Sequence, residues 1–173
     1  MNRQDVEART EDLFRGGLHC AEAVLQAVLE GQGLDKAACS PRAATAFGGG
    51  VGRSKKGLCG ALSGGLIALG QLRGRGGPRE SWDEVAALAE ALRQRFASEY
   101  GCTRCFAVLE KLGAQERMDK CVRLAGRTAG MVHEVLNGDS ASRPVQACGC
   151  GELHAPPATF ATPAPSGCGC GCK

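Results

Sequence analysis

The sequence predicts an all-α protein, a compact bundle of about five to six helices. Three observations lead there. Apolar residues recur at helical spacing in one segment after another. No segment shows the strict apolar–polar alternation of a half-buried strand. Aromatic residues make up only 4% of the chain while glycine occurs 26 times, a composition that suits closely packed helices better than a β-sandwich rich in β-branched and aromatic side chains. The chain has 173 residues, enough for one ordinary domain and a tail. The helical domain is expected over residues 1–138, and residues 139–173 read as a disordered Cys/Gly/Pro-rich C-terminal tail.

The first helix is expected from about residue 4 to residue 15, with Val6, Thr10, Leu13 and Phe14 on one face. Gly16 and Gly17 break it. A second runs from about residue 19 to residue 30, with Ala21, Val24, Leu25, Val28 and Leu29 inward and Cys20 in its first turn. Ser40-Pro41 is a start signal, serine as cap and proline at the first helical position, for a short helix that stops at Gly48. Ser81-Trp82-Asp83-Glu84 reads as a capping box before a long helix with Val85, Leu88, Ala89, Leu92 and Phe96 inward. Gly101 is its expected stop. Cys102-Thr103-Arg104-Cys105 leads into a short piece closed by Gly113. A last helix runs from about residue 116 to Leu136, with Met118, Cys121, Ala125, Val132 and Leu136 on one face.

Between these lies the most unusual stretch, residues 47–70, in which a glycine loop runs into Cys59 and Cys59 opens an apolar, small-residue helix. Gly60, Gly64 and Gly65 lie inside that helix, at about 1 kcal/mol each relative to alanine. Such a sequence is expected where something approaches the backbone closely: a second helix against the Gly60/Gly64/Ala68 stripe, or a bound group beside Cys59. The apolar run is too short to span a bilayer. The glycine loop itself lacks the Gly-Lys-Ser/Thr ending of a Walker A loop and has no strand before it, so it reads as a turn that lets Cys59 approach its partners rather than as a phosphate cradle.

The formal net charge is +3, with both signs interspersed. No clustered basic footprint argues for nucleic acid, and no segment argues for a membrane. Arg73, Arg75 and Arg79 fall in a Gly/Pro loop and read as solvated. The N-terminal residues contain no apolar signal core, so a cytoplasmic location is expected. Of the 11 cysteines, Cys20, Cys39, Cys59, Cys102, Cys105 and Cys121 lie in the domain. In a reducing compartment many cysteines point to metal, cluster or redox chemistry more than to structural disulfides. Any one of them could equally be a buried small hydrophobe. Cys20, Cys59 and Cys105 nevertheless stand near helix starts, where the helix dipole favours a thiolate.

Cys102 and Cys105 form a Cys-x-x-Cys pair that lacks both the preceding strand of a thioredoxin-like site and the following histidine of a haem attachment site. It remains open as half of a metal or cluster site. His19 adjoins Cys20 and reads as a core-edge histidine or a group tuning that thiol. No Ser-His-Asp or paired-carboxylate arrangement can be assembled. In the tail, Cys148-Gly-Cys150 and Cys168-Gly-Cys170-Gly-Cys172 place soft thiolates at alternate positions, a spacing suited to Cu(I) or Zn(II). The alternative is a tail whose thiols oxidise unselectively.

Taken together, Gly-Gly-Leu-His-Cys20-Ala-Glu-Ala-Val, Phe47-Gly-Gly-Gly, Cys59-Gly-Ala-Leu-Ser-Gly64, Cys105 and Cys121 resemble the C-GCAxxG-C-C family of redox-active proteins over roughly residues 5–138. The resemblance implies that the family's four characteristic cysteines are Cys20, Cys59, Cys105 and Cys121. Cys39, Cys102 and the tail lie outside its pattern. The family is also similar to part of split-Soret cytochrome c, which implies a helical scaffold for an iron–sulfur centre and a homodimer, but not haem here, since no Cys-x-x-Cys-His occurs.

The expectation that follows is a small, cytoplasmic, redox-active and metal-binding protein. In it Cys20, Cys59, Cys105 and Cys121 hold a 2Fe-2S cluster for electron transfer to an unidentified redox partner, as an accessory protein rather than a stand-alone enzyme. Two rivals stand beside it: a metal-free thiol–disulfide protein, and a Zn or Cu binding or delivery protein acting through the tail.

Overall fold

The computed structural model describes residues 1–34 and 40–138. Cys39 and the cysteine-rich tail, with the metal-binding expectation placed on it, lie outside the described residues. Within the described residues the chain forms six α-helices and one 3-10 helix: α1 Arg3–Arg15, α2 Cys20–Gly31, the 3-10 helix Pro41–Phe47, α3 Gly60–Arg73, α4 Asp83–Tyr100, α5 Cys105–Leu112 and α6 Asp119–Leu136. The all-α bundle is as the periodicities predict. The extended pairing among the described residues is one isolated antiparallel bridge between Leu58 and Arg104.

Local chemistry explains most boundaries. Asn2 caps α1, its side chain accepting from the Asp5 N–H at 2.9 Å while Asp5 accepts from the Asn2 N–H at 3.0 Å, so two of the helix's orphan donors are satisfied reciprocally. At α2 the Glu22 carboxylate accepts from the His19 N–H at 2.8 Å. Ser40 and Pro41 start their segment as expected, the serine oxygen accepting from the Arg42 N–H at 3.3 Å, though the turn is 3-10 rather than α. Gly101, at φ 77°, and Gly113, at φ 70°, end α4 and α5.

Two expected starts shift. Ser81 does not make a capping box with Glu84; its hydroxyl pairs with the Asp83 carboxylate at 2.7 Å, and Glu84 faces Arg73 at 3.5 Å. The last helix begins at Asp119 rather than near residue 116, because Arg117 and Met118 adopt left-handed backbone at φ 45° and 62°. That shift of one turn moves Cys121 from mid-helix to the first turn of α6.

α2 and α3 form the centre of the bundle, packed on each other and both against α6, with α1 laid along α2 and α6 and α4 against α3 and α6. Most residues of both central helices are buried, α2 keeping one polar stripe of Glu22, Gln26 and Glu30. Leu25, Leu29, Leu62, Leu69, Leu92, Phe96 and Met131 are fully buried, each contributing about 1.5–3 kcal/mol of hydrophobic stabilisation. The close approach implied by the interior glycines of α3 is made by a helix. A methyl group at Gly64 would meet the backbone of Ala21, and one at Gly60 would meet the Cys20 sulfur. α3 is thereby drawn onto the N-terminal turn of α2, and Cys59 is brought beside Cys20. No helix among the described residues is long and apolar enough to cross a membrane.

Candidate functional site

Four helices aim their N-terminal turns at one cavity, and each carries a cysteine there. Cys20 is the first residue of α2, Cys59 caps α3, Cys105 is the first residue of α5, and Cys121 lies in the first turn of α6. All four line a cavity of about 570 Å³. The structure therefore brings together the four cysteines singled out in the sequence. Cys102, buried beside the site, does not line it, and its sulfur accepts from the Arg104 N–H at 3.5 Å.

Backbone pairing sets the positions of Cys59 and Cys105. The Cys59 N–H donates to Thr103 O at 2.8 Å, and the Cys105 N–H donates to Gly57 O at 2.9 Å. These bonds flank the Leu58–Arg104 bridge and hold the two helix starts side by side. Cys121 is held by Gln115, whose amide accepts from the Cys121 N–H at 3.0 Å and donates to its sulfur at 3.2 Å. Thr45 donates to Glu22 at 2.6 Å, tying the 3-10 helix to the start of α2.

The glycine loop forms the rim. Residues 49–53 all have left-handed backbone, with φ between 57° and 75°. Gly49, Gly50 and Gly52 adopt it freely, whereas Val51 and Arg53 do so against side-chain sterics, as does Lys55 at φ 60°. The turn is closed by Gly52 N–H to Ala46 O at 2.8 Å, Arg53 N–H to Gly48 O at 3.0 Å and Lys55 N–H to Gly49 O at 2.9 Å. It seats Gly50 directly against the Cys105 side chain. The glycine run is a turn rather than a phosphate cradle, as expected, and its contact through Gly50 is with Cys105.

The electrostatics correct another expectation. Backbone N–H groups do point at the sulfurs: those of Ala21 at the start of α2 and of Gly49 in the glycine loop at Cys20, and those of Ala61 and Leu62 at the start of α3 at Cys59. Burial is the larger effect. It pushes the Cys59 thiol up to about 12, assisted by the neighbouring Cys20. It also raises Cys20, Cys105 and Cys121, against the pull of Lys55 on Cys105 and of the Gln115 hydrogen bond on Cys121. The thiols are therefore neutral near pH 7, where a helix-start argument alone predicts thiolates.

The iron–sulfur expectation is overturned. Among the described residues no group of three or more His, Cys, Asp or Glu side chains is placed to hold a metal ion. The 2Fe-2S assignment, the metal-binding role of Cys20, Cys59, Cys105 and Cys121, and electron transfer through a cluster are corrected accordingly. Among the described residues no group of donors supports Zn or Cu either, and the tail to which that expectation attaches lies outside them. Disulfides are likewise absent among the described residues: Cys20, Cys59, Cys102, Cys105 and Cys121 are free thiols.

Residues 18–135 match the family model described as "Putative redox-active protein (C_GCAxxG_C_C)". The chain belongs to this family. The match covers more than half of the 173 residues and spans all four pocket cysteines. No curated protein and no solved structure matches the chain, and the resemblance to split-Soret cytochrome c is not carried by any of these comparisons.

The sequence reading missed Arg53, Lys55 and Met118, all of which line the pocket. The available signal was two basic side chains set within a glycine run just ahead of Cys59. Met118 reads in the sequence only as part of the inward face of the last helix, because its place outside α6 depends on a left-handed backbone that periodicity does not report.

Proposed function

We propose that this protein binds a small, largely apolar molecule in the cavity between α2, α3, α5 and α6 and presents its thiols to that molecule. The carrying observation is the convergence of four cysteines, each from a helix's first turn, on one cavity of about 570 Å³. That volume is in the range of sites for drug-sized ligands. Phe14, Val108, Leu109, Met118 and Leu124 supply its apolar walls. The four thiols are the groups through which the redox activity named for the family would reach such a ligand. In this reading the chain is a binding or accessory protein of the cytoplasm, where thiols stay reduced.

The test uses a neutral apolar fluorophore, N-phenyl-1-naphthylamine, titrated into the reduced protein, with iodoacetamide labelling of each cysteine followed by mass spectrometry. The expected result is a single saturable rise in fluorescence, slower alkylation of Cys20, Cys105 and Cys121 in the presence of the dye, and loss of both effects in Leu109→Trp, which fills the cavity. Absence of saturable binding, or binding that leaves every alkylation rate unchanged, would overturn the reading.

A further inference from the structure

The rim of the cavity carries a charge that the bundle does not neutralise. Its lining contains no aspartate or glutamate, and its cationic side chains are Arg53 and Lys55. Among the described residues neither is engaged by a carboxylate. Several arginines of the helices are treated differently: Arg3, Arg9, Arg15, Arg93, Arg95 and Arg127 each face a glutamate within 4 Å. Glu22, which lies near Cys20, is already occupied by the His19 N–H and the Thr45 hydroxyl.

The backbone that carries the two cations is over-determined. A non-glycine residue in left-handed conformation is strained and persists only where its surroundings impose it. Arg53 and Lys55 both adopt that conformation. The Phe106 N–H donates to Lys55 O at 2.8 Å and the Ser54 hydroxyl to Gly50 O at 2.6 Å, so the turn is clamped to α5 as well as to itself. The backbone that bears two cations is thus fixed at the edge of an apolar, thiol-lined cavity, and no carboxylate among the described residues pairs with either. Both side chains are exposed, so they attract an incoming anion through a field that salt screens.

Building on the pocket reading above, we infer that the ligand is an apolar organic anion: its negatively charged group is held at the rim by Arg53 and Lys55, and its apolar body extends between the four cysteines. The class is a small carboxylate or a comparable monoanion with a hydrocarbon portion.

Isothermal titration with decanoate and with decanol, matched in chain length and different in charge, tests this. Decanoate is expected to bind about tenfold more tightly than decanol, the scale of one charge-assisted hydrogen bond. The double variant Arg53→Asn/Lys55→Asn removes both charges with a residue that tolerates left-handed backbone. It is expected to bring decanoate to the affinity of decanol while decanol is unchanged. Arg53→Lys/Lys55→Arg, which keeps both charges, is expected to retain the preference. Equal affinity of the native chain for the two probes, or an equal loss of both in the double variant with its thermal unfolding unchanged, overturns the anionic assignment and leaves the pocket reading standing. Failure of the native chain to bind either probe overturns both.

Discussion

The α1–α6 seam and the thiol cavity use the same sequence device to opposite ends. In the seam, Gly126 and Gly130 of α6 let α1 come close: a methyl group at Gly126 would approach Glu7 O to 3.0 Å, and one at Gly130 would meet the Glu7 carboxylate. Charge there is matched. Glu134 accepts from Arg127 at 2.7 Å, Arg95 at 2.9 Å and Arg3 at 3.1 Å. At the cavity, Gly60 and Gly64 likewise bring α3 onto α2, but the space beyond stays open, the charge at its rim is unmatched and the backbone around it is strained. Glycine in a helix therefore announces close approach and nothing more. Whether the approach closes a seam or frames a cavity depends on what lies at the helix ends, side-chain pairs in one case and a left-handed loop in the other.

The largest effect that would sharpen this contrast is alkaline destabilisation at the cavity. Cys59 ionises near 9 when unfolded and near 12 when folded. Between those values the unfolded chain has released a proton that the folded chain retains, so stability is full below pH 9 and is lost as pH rises towards 12. The loss is on the order of 4 kcal/mol at its limit. Cys20, Cys105 and Cys121 shift in the same direction and add to it. Urea unfolding at a series of pH values is expected to show the decline, and Cys59→Ser to flatten it. An undiminished slope in that variant would show that the burial of Cys59 is not its cause.

A smaller loss is expected at the seam. Glu134→Gln removes the carboxylate shared by three arginines that are themselves one-fifth to nearly one-half exposed. The expected destabilisation is about 2 kcal/mol, between the values for exposed and buried ion pairs. Chemical denaturation in low and high salt checks it, and the native chain should lose part of the same amount in salt.

The smallest effect is a gain. Val51 is β-branched, 46% exposed and in left-handed backbone at φ 63°. Val51→Gly is expected to raise stability by about 1 kcal/mol, the relief of left-handed strain less the added entropy of the unfolded chain. A fall in melting temperature would mean that the valine methyl contacts with Gly57 outweigh the strain.

The helices themselves were legible because 3.6-residue periodicity and capping chemistry are local. The inward faces of α1, α2 and α4, the Ser40-Pro41 start and the Gly101 stop all follow from a few neighbouring side chains. The four site cysteines were legible for the same reason, three at helix starts and all four in the family's pattern. What Cys20, Cys59, Cys105 and Cys121 do was not. Position at a helix start argues for thiolates and hence for a cluster, and only the packed structure shows that desolvation exceeds the helix contribution and that no metal-holding group forms among the described residues.

By itself the sequence determined an all-α bundle, its glycine-lined helix contact and the residues that surround one site, since these rest on spacing along the chain. Tertiary structure alone decided the left-handed turn, the placement of Cys121 in a first turn, the protonation of the thiols and the unmatched charges of Arg53 and Lys55. Those properties arise from groups far apart in sequence, through burial and the geometry of closure, and no local pattern reports them.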